Sequence, residues 1–483
     1  MSHHQPDPNK SVNLIIDGKP VTVPEGTRIL EAAKKVNVNI PTLCEHPELC
    51  KRALCRICVV EADGRGKLIA ACANDVWEGV SIVTVNQRLL NIRKTIIELI
   101  LANHPQDCLS CIRNKKCELQ SLALSFGVGA NAGTSLFEND AEERPPLIES
   151  ETLVRNMDKC VKCGRCVEVC QEVQTIRAIN TSHRSHEYEI STPYKQALKD
   201  GTCVFCGGCS AVCPVGAIYE HDQTAEVWTA LNDSGRKTVA QVSPSFTAVL
   251  NDELSLAEGT VTTGKLITAI KLLGFDKVYD AGLSANAANF EIEGEIQQRM
   301  KNGSTKLQGK NLPVISGCSE GIGNFIKNSY PDLAENLVVD RTPRRIFASL
   351  LKAVNGKITA VSFVPCIAQK YVAGVKAEND FALTAGELAR MLKLAGIVIE
   401  TLPEEPFEPQ PSQANQRFAG EGSPLDVIGI GSTKQDNSGL PVKKEVVYGF
   451  ENARKVMEAI RKGECDAQWV EIYSCPGNCH VES

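Results

Sequence analysis

The chain has 483 residues, 43% of them hydrophobic and 23% charged, an ordinary composition for a folded protein of about three or four domains. A net charge of -6 disfavours nonspecific nucleic-acid binding, which needs a basic surface to neutralise phosphates. No run of roughly 18 apolar residues offers a membrane span, and the polar segment Met1 to Lys10 lacks the apolar stretch of an export signal.

A cytoplasmic location is therefore expected, in a reducing environment. There the 21 cysteines point to metal binding, because Cys-x-x-Cys spacing recurs and an odd total fits a disulfide framework poorly. Val12 to Ile16, a turn at Asp17-Gly18 and Pro20 to Val23 read as a hairpin. A helical pattern follows from Ile29 to Val36, with Thr27 as its expected cap. Then come Cys44, Cys55, Cys58 and Cys72. Four soft, anionic thiolates complete the coordination of a two-iron cluster. A structural zinc site is the alternative, although zinc usually shows two Cys-x-x-Cys knuckles and only one is present here.

An amphipathic pattern from Val85 to Ala102 leads to His104, Cys108, Cys111 and Cys117. The hairpin, helix and cysteine loop resemble the β-grasp ferredoxin module of complex I large subunits and iron-only hydrogenases. The spacing of one histidine to three cysteines resembles the four-iron motif of the same two families. A neutral imidazole in place of a thiolate makes such a cluster less negative and raises its potential.

Small, acidic and proline residues from 127 to 150 read as a linker. Cys160, Cys163, Cys166 and Cys170 then repeat as Cys203, Cys206, Cys209 and Cys213, the run of a two-cluster bacterial ferredoxin, in which the fourth cysteine of each run serves the other cluster. One cubane is assigned to Cys160, Cys163, Cys166 and Cys213, the other to Cys203, Cys206, Cys209 and Cys170. Pro214 follows Cys213 as usual, whereas Gln171 follows Cys170.

Beyond Val239 the composition is that of an α/β domain, with strands expected at Thr238 to Val242, Ala360 to Phe363 and Val427 to Ile430. The segments Gln241-Val242-Ser243-Pro244-Ser245, Ile315-Ser316-Gly317-Cys318-Ser319, Val364-Pro365-Cys366 and Glu471-Ile472-Tyr473-Ser474-Cys475-Pro476-Gly477-Asn478-Cys479 resemble the successive signatures of the iron-only hydrogenase catalytic domain. In that family four cysteines hold a cubane, and the last of them bridges to a diiron centre. The resemblance places those ligands at Cys318, Cys366, Cys475 and Cys479.

Their neighbours depart from the family. Gly317 stands where a proton-passing cysteine is expected, Gln369 where a lysine pairs with a cyanide, and Glu291-Ile292 where an acidic pair is expected. The chain runs out at His480-Val481-Glu482-Ser483, where a glycine-rich stretch is expected. Proton delivery needs titratable groups in reach, and a buried anion needs a donor. A plain cubane without a complete H-cluster is the expectation.

Weaker signals are given bland readings. Gly429 to Lys434 misses both the Walker and the dinucleotide spacing, so no NAD or flavin site is visible. Gly317, Gly321 and Gly323 are expected to allow close backbone approach to the nearby cluster. Thr401 to Pro424 reads as a surface linker, and Cys50, Cys465 and His480 as ordinary residues.

The expected fold is multidomain α+β and α/β. It comprises a β-grasp 2Fe-2S ferredoxin (10–88), a histidine-ligated 4Fe-4S domain (89–126), the linker (127–150), a two-cluster 4Fe-4S ferredoxin domain (151–225) and a hydrogenase-like domain with a degenerate site (226–483). The expected cofactors are one 2Fe-2S cluster, three 4Fe-4S clusters and a fourth 4Fe-4S cluster in the last domain.

Over nearly the whole chain the resemblance is to the hydrogenase-like A subunit of flavin-based electron-bifurcating hydrogenase or transhydrogenase complexes. It implies an electron-relay role without dihydrogen chemistry. The partners it implies are an FMN- and NADH-binding flavoprotein, a small thioredoxin-like 2Fe-2S subunit and soluble ferredoxin. A further partner is an NADP-binding transhydrogenase, a nickel-iron hydrogenase or a formate dehydrogenase subunit. Two alternatives stay open: a divergent iron-only hydrogenase, and a complex I type scaffold whose last domain is metal-free.

Overall fold

In the computed structural model the described residues are 7, 10–50, 52–63, 67–129, 148–150, 152–243, 245–281, 296, 299, 313–338, 345, 348–349, 351–353, 357–371, 380–407 and 443–475. The expected strand Val427 to Ile430, the loop Gly429 to Lys434, the pair Glu291-Ile292, Cys479 and His480 lie outside them.

Strands β1 (Ser11–Ile16) and β2 (Lys19–Pro24) form the expected hairpin, with Ile16 opposite Lys19. Asp17 and Gly18 both have positive φ, at 47° and 78°, the conformation that suits a two-residue turn to the twist of the strands. Val12, Leu14 and Ile16 alternate inward against helix α1 (Ile29–Lys35). Thr27 does not cap that helix: its hydroxyl donates to the Pro24 carbonyl at 2.6 Å, and Arg28 stands at the cap position without a side-chain bond. Strands β3 (Val59–Ala62), β4 (Lys67–Ala70) and β5 (Ser81–Val83) complete a five-stranded sheet of order β2-β1-β5-β3-β4.

Helix α2 (Gln87–Ala102) is capped by Asn86, whose side chain accepts from the Leu89 amide. It buries Leu89, Ile97 and Leu101 on one face. Ile97 and Leu101, with Leu119 of helix α3 (Glu118–Ser125), share a core with Leu43, Ile57, Val215 and Ala217. One apolar core thus joins the loops of three cysteine sets.

Strand β6 (Ile148–Glu149) pairs with β7 (Leu153–Arg155). The end of the expected linker is therefore part of a sheet. Short helices α4 (Arg165–Glu168) and α5 (Gly208–Ala211) follow the two Cys-x-x-Cys turns, β8 (Asn180–Ser182) pairs with β9 (Glu189–Ser191), and β10 (Ile218–Glu220) pairs with β7.

After helix α6 (Thr224–Leu231), strand β11 (Lys237–Val242), helices α7 (Phe246–Glu253) and α8 (Thr263–Leu272), and strand β12 (Lys277–Asp280) open the last domain. It continues through β13 (Val314–Gly317), α9 (Gly321–Ser329), β14 (Ile358–Phe363), β15 (Asp380–Leu383), α10 (Ala385–Leu394), β16 (Lys444–Tyr448), α11 (Phe450–Lys462) and β17 (Trp469–Tyr473). Two parallel sheets result, of order β12-β11-β14-β15 and β13-β17-β16. Every residue of β14 is buried, as a strand covered on both faces requires. Cys318, Cys366 and Cys475 lie just beyond the carboxyl ends of β13, β14 and β17, the edge at which open α/β sheets build their sites.

No helix among the described residues is long and apolar enough to cross a membrane.

Candidate metal centres

Cys44, Cys58 and Cys72 are buried and Cys55 is partly so. Their thiols touch in a chain: Cys44 meets Cys55 and Cys72, and Cys72 also meets Cys58. Two of these three contacts, Cys44 with Cys55 and Cys58 with Cys72, pair the thiols as two irons with two thiolates each would use them. Contact with Cys55 lowers the pKa of Cys44, and contact with Cys72 lowers that of Cys58 to about 7, while contact with Cys44 raises both Cys55 and Cys72. Each pair holds one thiol ready to lose its proton to a metal. Cys50 is exposed, and Cys465 meets Glu445 at 4.0 Å away from these sites.

His104 stands just past α2, its pKa pushed down to about 4 by burial and then by the charge of Lys159. The imidazole is neutral, as a ligand must be. Its Nδ1 is buried without a hydrogen-bond partner, an expensive omission unless that atom is meant for something else. Nearby, a Cβ on Gly216 would sit 2.8 Å from Cys111 Sγ, so glycine makes room for the sulfur. Cys117 caps α3, its sulfur accepting from the Gln120 amide at 3.5 Å.

The two quartets share one backbone design. Lys162 and Phe205, two residues after the first cysteine of each run, have φ of 55° and 53°, and Gly164 and Gly207 both have φ of 80°. The turn aims the amide of Lys162 at Cys160 Sγ and that of Phe205 at Cys203 Sγ, both at 3.4 Å. Amides so placed favour sulfur that carries negative charge. Cys160, Cys163, Cys166 and Cys213 line one cavity, with Val161, Val215 and Ile218 among its apolar walls. Cys170 lies instead with Cys203, Cys206 and Cys209, accepting from the Ala178 amide at 3.2 Å. The fourth cysteine of each run therefore crosses to the other set. Among the described residues no three His, Cys, Asp or Glu converge as a lone ion would require; ligands of a cluster bind separate irons and need not do so.

Residues that fasten these loops together carry no sequence motif. Arg165, next to Cys166, is 5% exposed and grips both oxygens of Glu118 at 2.6 and 2.8 Å while donating to the Glu45 carbonyl at 2.6 Å. Glu118 follows Cys117 and Glu45 follows Cys44. The Glu118 amide donates to the carbonyl of Pro214, which follows Cys213. Lys159 reaches Asp107 at 2.8 Å, Arg113 reaches the Ser210 carbonyl at 2.8 Å, and Arg52 pairs with Glu168.

In the last domain Cys318 lies 3.6 Å from Ser474 Oγ and feels the charge of Cys475, which also acts on Cys206 of the preceding set. Burial raises the pKa of all three thiols. The loop of Cys366 reaches the same neighbourhood through Ile367, whose Cβ would lie 2.9 Å from a Cβ on Gly207. Two more contacts close the joint: Tyr371 stacks on Phe205 with centroids 4.1 Å apart, and a Cβ on Gly321 would lie 2.1 Å from the Val204 carbonyl. Gly321 is thus required for close approach. At Gly323 nothing lies within 4 Å of the Cβ position.

The departures around this set are filled in. A Cβ on Gly317 would lie 2.5 Å from Ile322 Cγ1, so Ile322 occupies the space a longer residue would need. Lys370, beside Gln369, is fully buried against Glu387 at 2.6 Å and donates to the His221 carbonyl at 2.7 Å. Glu387 also closes the capping box of α10 with Thr384 and accepts from the Gln223 amide. This lysine holds α10 to the segment after β10.

Residues 236–481 match the model for the iron only hydrogenase large subunit, C-terminal domain. Residues 9–87 match a 2Fe-2S iron-sulfur cluster binding domain, 93–131 the NADH-ubiquinone oxidoreductase-G iron-sulfur binding region, and 138–217 a 4Fe-4S dicluster domain. The chain is 32% identical to the NADP-reducing hydrogenase subunit HndD of Solidesulfovibrio fructosivorans, over 97% of this chain and 87% of that one. It is 27% identical to iron hydrogenase 1 of Clostridium pasteurianum, over 96% of this chain and 87% of that one. It is also 36% identical to the NADPH-Fe(3+) oxidoreductase subunit alpha of Geobacter sulfurreducens, over 43% of this chain and 24% of that one.

Proposed function

This chain belongs to the iron-only hydrogenase large-subunit family, and from that footing we propose that it is the iron-sulfur relay subunit of a flavin-based, electron-bifurcating oxidoreductase complex. Its proposed complement is one 2Fe-2S cluster held by Cys44, Cys55, Cys58 and Cys72, a 4Fe-4S cluster on His104, Cys108, Cys111 and Cys117, and two cubanes on the crossed quartets. A fourth cubane takes Cys318, Cys366, Cys475 and Cys479. Such clusters supply one-electron storage. The chain's own contribution is to bury the ligand loops, aim amides at sulfur and fasten each loop to the next.

The observation that carries the loss of dihydrogen chemistry is Ile322 packed where a side chain at position 317 would have to go. With Lys370 committed to Glu387, neither a proton-passing thiol nor a cation for a buried cyanide remains at the positions the family uses. The names of the relatives, one NADP-reducing and one NADPH-linked, support coupling to a pyridine nucleotide on a partner subunit. The proposed partners are a flavoprotein binding FMN and NADH, a small thioredoxin-like 2Fe-2S subunit and soluble ferredoxin at the two-cubane domain. A terminal NADP-binding, nickel-iron hydrogenase or formate dehydrogenase subunit completes the complex, which is placed in the cytoplasm.

Anaerobic purification of the native complex through a tag on this chain tests the proposal. Flavin in the preparation, roughly 18 irons in this chain and reduction of those irons by NADH or NADPH are expected. Recovery of the chain alone, with no flavoprotein and no response to either nucleotide, would contradict it. Roughly 14 irons would instead support the scaffold with a metal-free last domain.

A further inference from the structure

Arg155 ends β7, a strand flanked by β6 and β10, and is 1% exposed. A guanidinium has five N–H donors and does not give up its charge. Here Nη2 donates to the Ile190 carbonyl at 3.1 Å and meets Met157 Sδ at 3.8 Å, while Nε is buried without a partner. No carboxylate pairs with it among the described residues. The other buried cations near the quartets differ in this respect: Arg165 has Glu118 and Lys159 has Asp107. An unpaired buried charge is costly enough to demand an anion.

The residues Arg155 touches lie against both sets: Met157 and Ile190 line the cavity of Cys160, Cys163, Cys166 and Cys213, and Ile190 shares an apolar cluster with Cys160, Cys170, Cys209 and Cys213. Burial raises the pKa of Cys160, Cys203 and Cys209, and the charge of Arg155 acts in the opposite direction on all three. Cys160 belongs to one crossed quartet and Cys203 and Cys209 to the other, so the charge of a single guanidinium acts on both. A cubane with four thiolate ligands is anionic and accepts hydrogen bonds at sulfur, and both charge and hydrogen bonds set its potential.

We propose that Arg155 is a shared potential-setting residue: its charge and its unpartnered Nε–H serve the sulfur of the two cubanes and hold both reduction potentials up. The proposal rests on the reading that the quartets carry cubanes.

The test is an EPR-monitored redox titration of the full chain, reconstituted anaerobically with iron and sulfide, as wild type, Arg155→Lys and Arg155→Gln. With iron content unchanged, Arg155→Gln is expected to lower both cubane midpoints, so that the reduced-to-oxidised ratio at a fixed potential falls about tenfold, or ~59 mV for one electron. Arg155→Lys keeps the charge and falls less, and the two-iron signal of the Cys44 site stays in place. Unmoved cubane midpoints in an iron-replete Arg155→Gln chain overturn the proposal alone, whereas a wild-type chain without cubane signals overturns it together with the relay reading. If Arg155→Gln loses iron, wild-type protein labelled with 15N-arginine decides: a nitrogen coupling to the reduced cubanes in electron spin-echo modulation supports the role, and its absence refutes it.

Discussion

Replacing Gly317 by cysteine asks for room that the chain has given away. The new Cβ would lie 2.5 Å from Ile322 Cγ1 and 2.6 Å from its Cβ, about 1 Å inside ordinary carbon contact. A rotamer change relieves only the first contact, because the Ile322 Cβ is fixed by the backbone of α9. Gly317 is no freer, being paired with Ile472 of β17. Strand or helix must therefore move, and overpacking of this kind costs about 1–3 kcal/mol.

Because the second contact is to a Cβ, Gly317→Cys should fall in the upper half of that range. Adding Ile322→Ala should recover only part of the loss. Gly317→Cys with Ile322→Gly should be coupled, costing about 1–3 kcal/mol less than the two single changes together, even though glycine weakens the helix by about 1 kcal/mol. Hydrogen exchange across residues 313–330 reads the local opening free energy directly. Wild-type protection in Gly317→Cys, or dihydrogen evolution from it, would refute the claim that Ile322 has closed the site.

Other expectations follow from the same contacts. Lys370→Met leaves Glu387 charged and buried, and should cost about 3–5 kcal/mol, whereas Lys370→Met with Glu387→Leu should recover most of it; denaturant melts of the two variants check this. His104 binds a proton more weakly folded than unfolded, about 4 against 6.5, so below pH 6.5 the unfolded chain takes up more protons. The apo chain should therefore lose on the order of 3 kcal/mol as pH falls from 6.5 towards 4, and His104→Gln should remove that part of the dependence in apo-protein melts. Cys213→Ser should perturb the EPR signal of the cubane that uses Cys160, and Cys170→Ser that of its neighbour. The opposite assignment would show that the runs do not cross.

What the sequence made legible is the part of the chemistry that is local. Ligands to one cluster must be reached from a short loop, so Cys160, Cys163 and Cys166 announce themselves by spacing, and the Asp17-Gly18 turn by its need for positive φ. The ties between sites were not legible, because Arg165 with Glu118, or Lys370 with Glu387, depends on partners distant in the chain and on burial that no spacing encodes. The importance of Gly317 was visible only as a missing cysteine; that Ile322 fills the gap depends on how α9 folds back on β13, which no spacing encodes. Thr27 had the right chemistry for a cap, but its hydroxyl was taken by Pro24.

The most direct measurement is an infrared spectrum of this chain, iron-replete and produced alongside a working hydrogenase maturation system. Roughly 18 irons per chain and no bands from metal-bound carbonyl or cyanide are expected. Those bands, accompanied by dihydrogen evolution, would contradict the loss of dihydrogen chemistry.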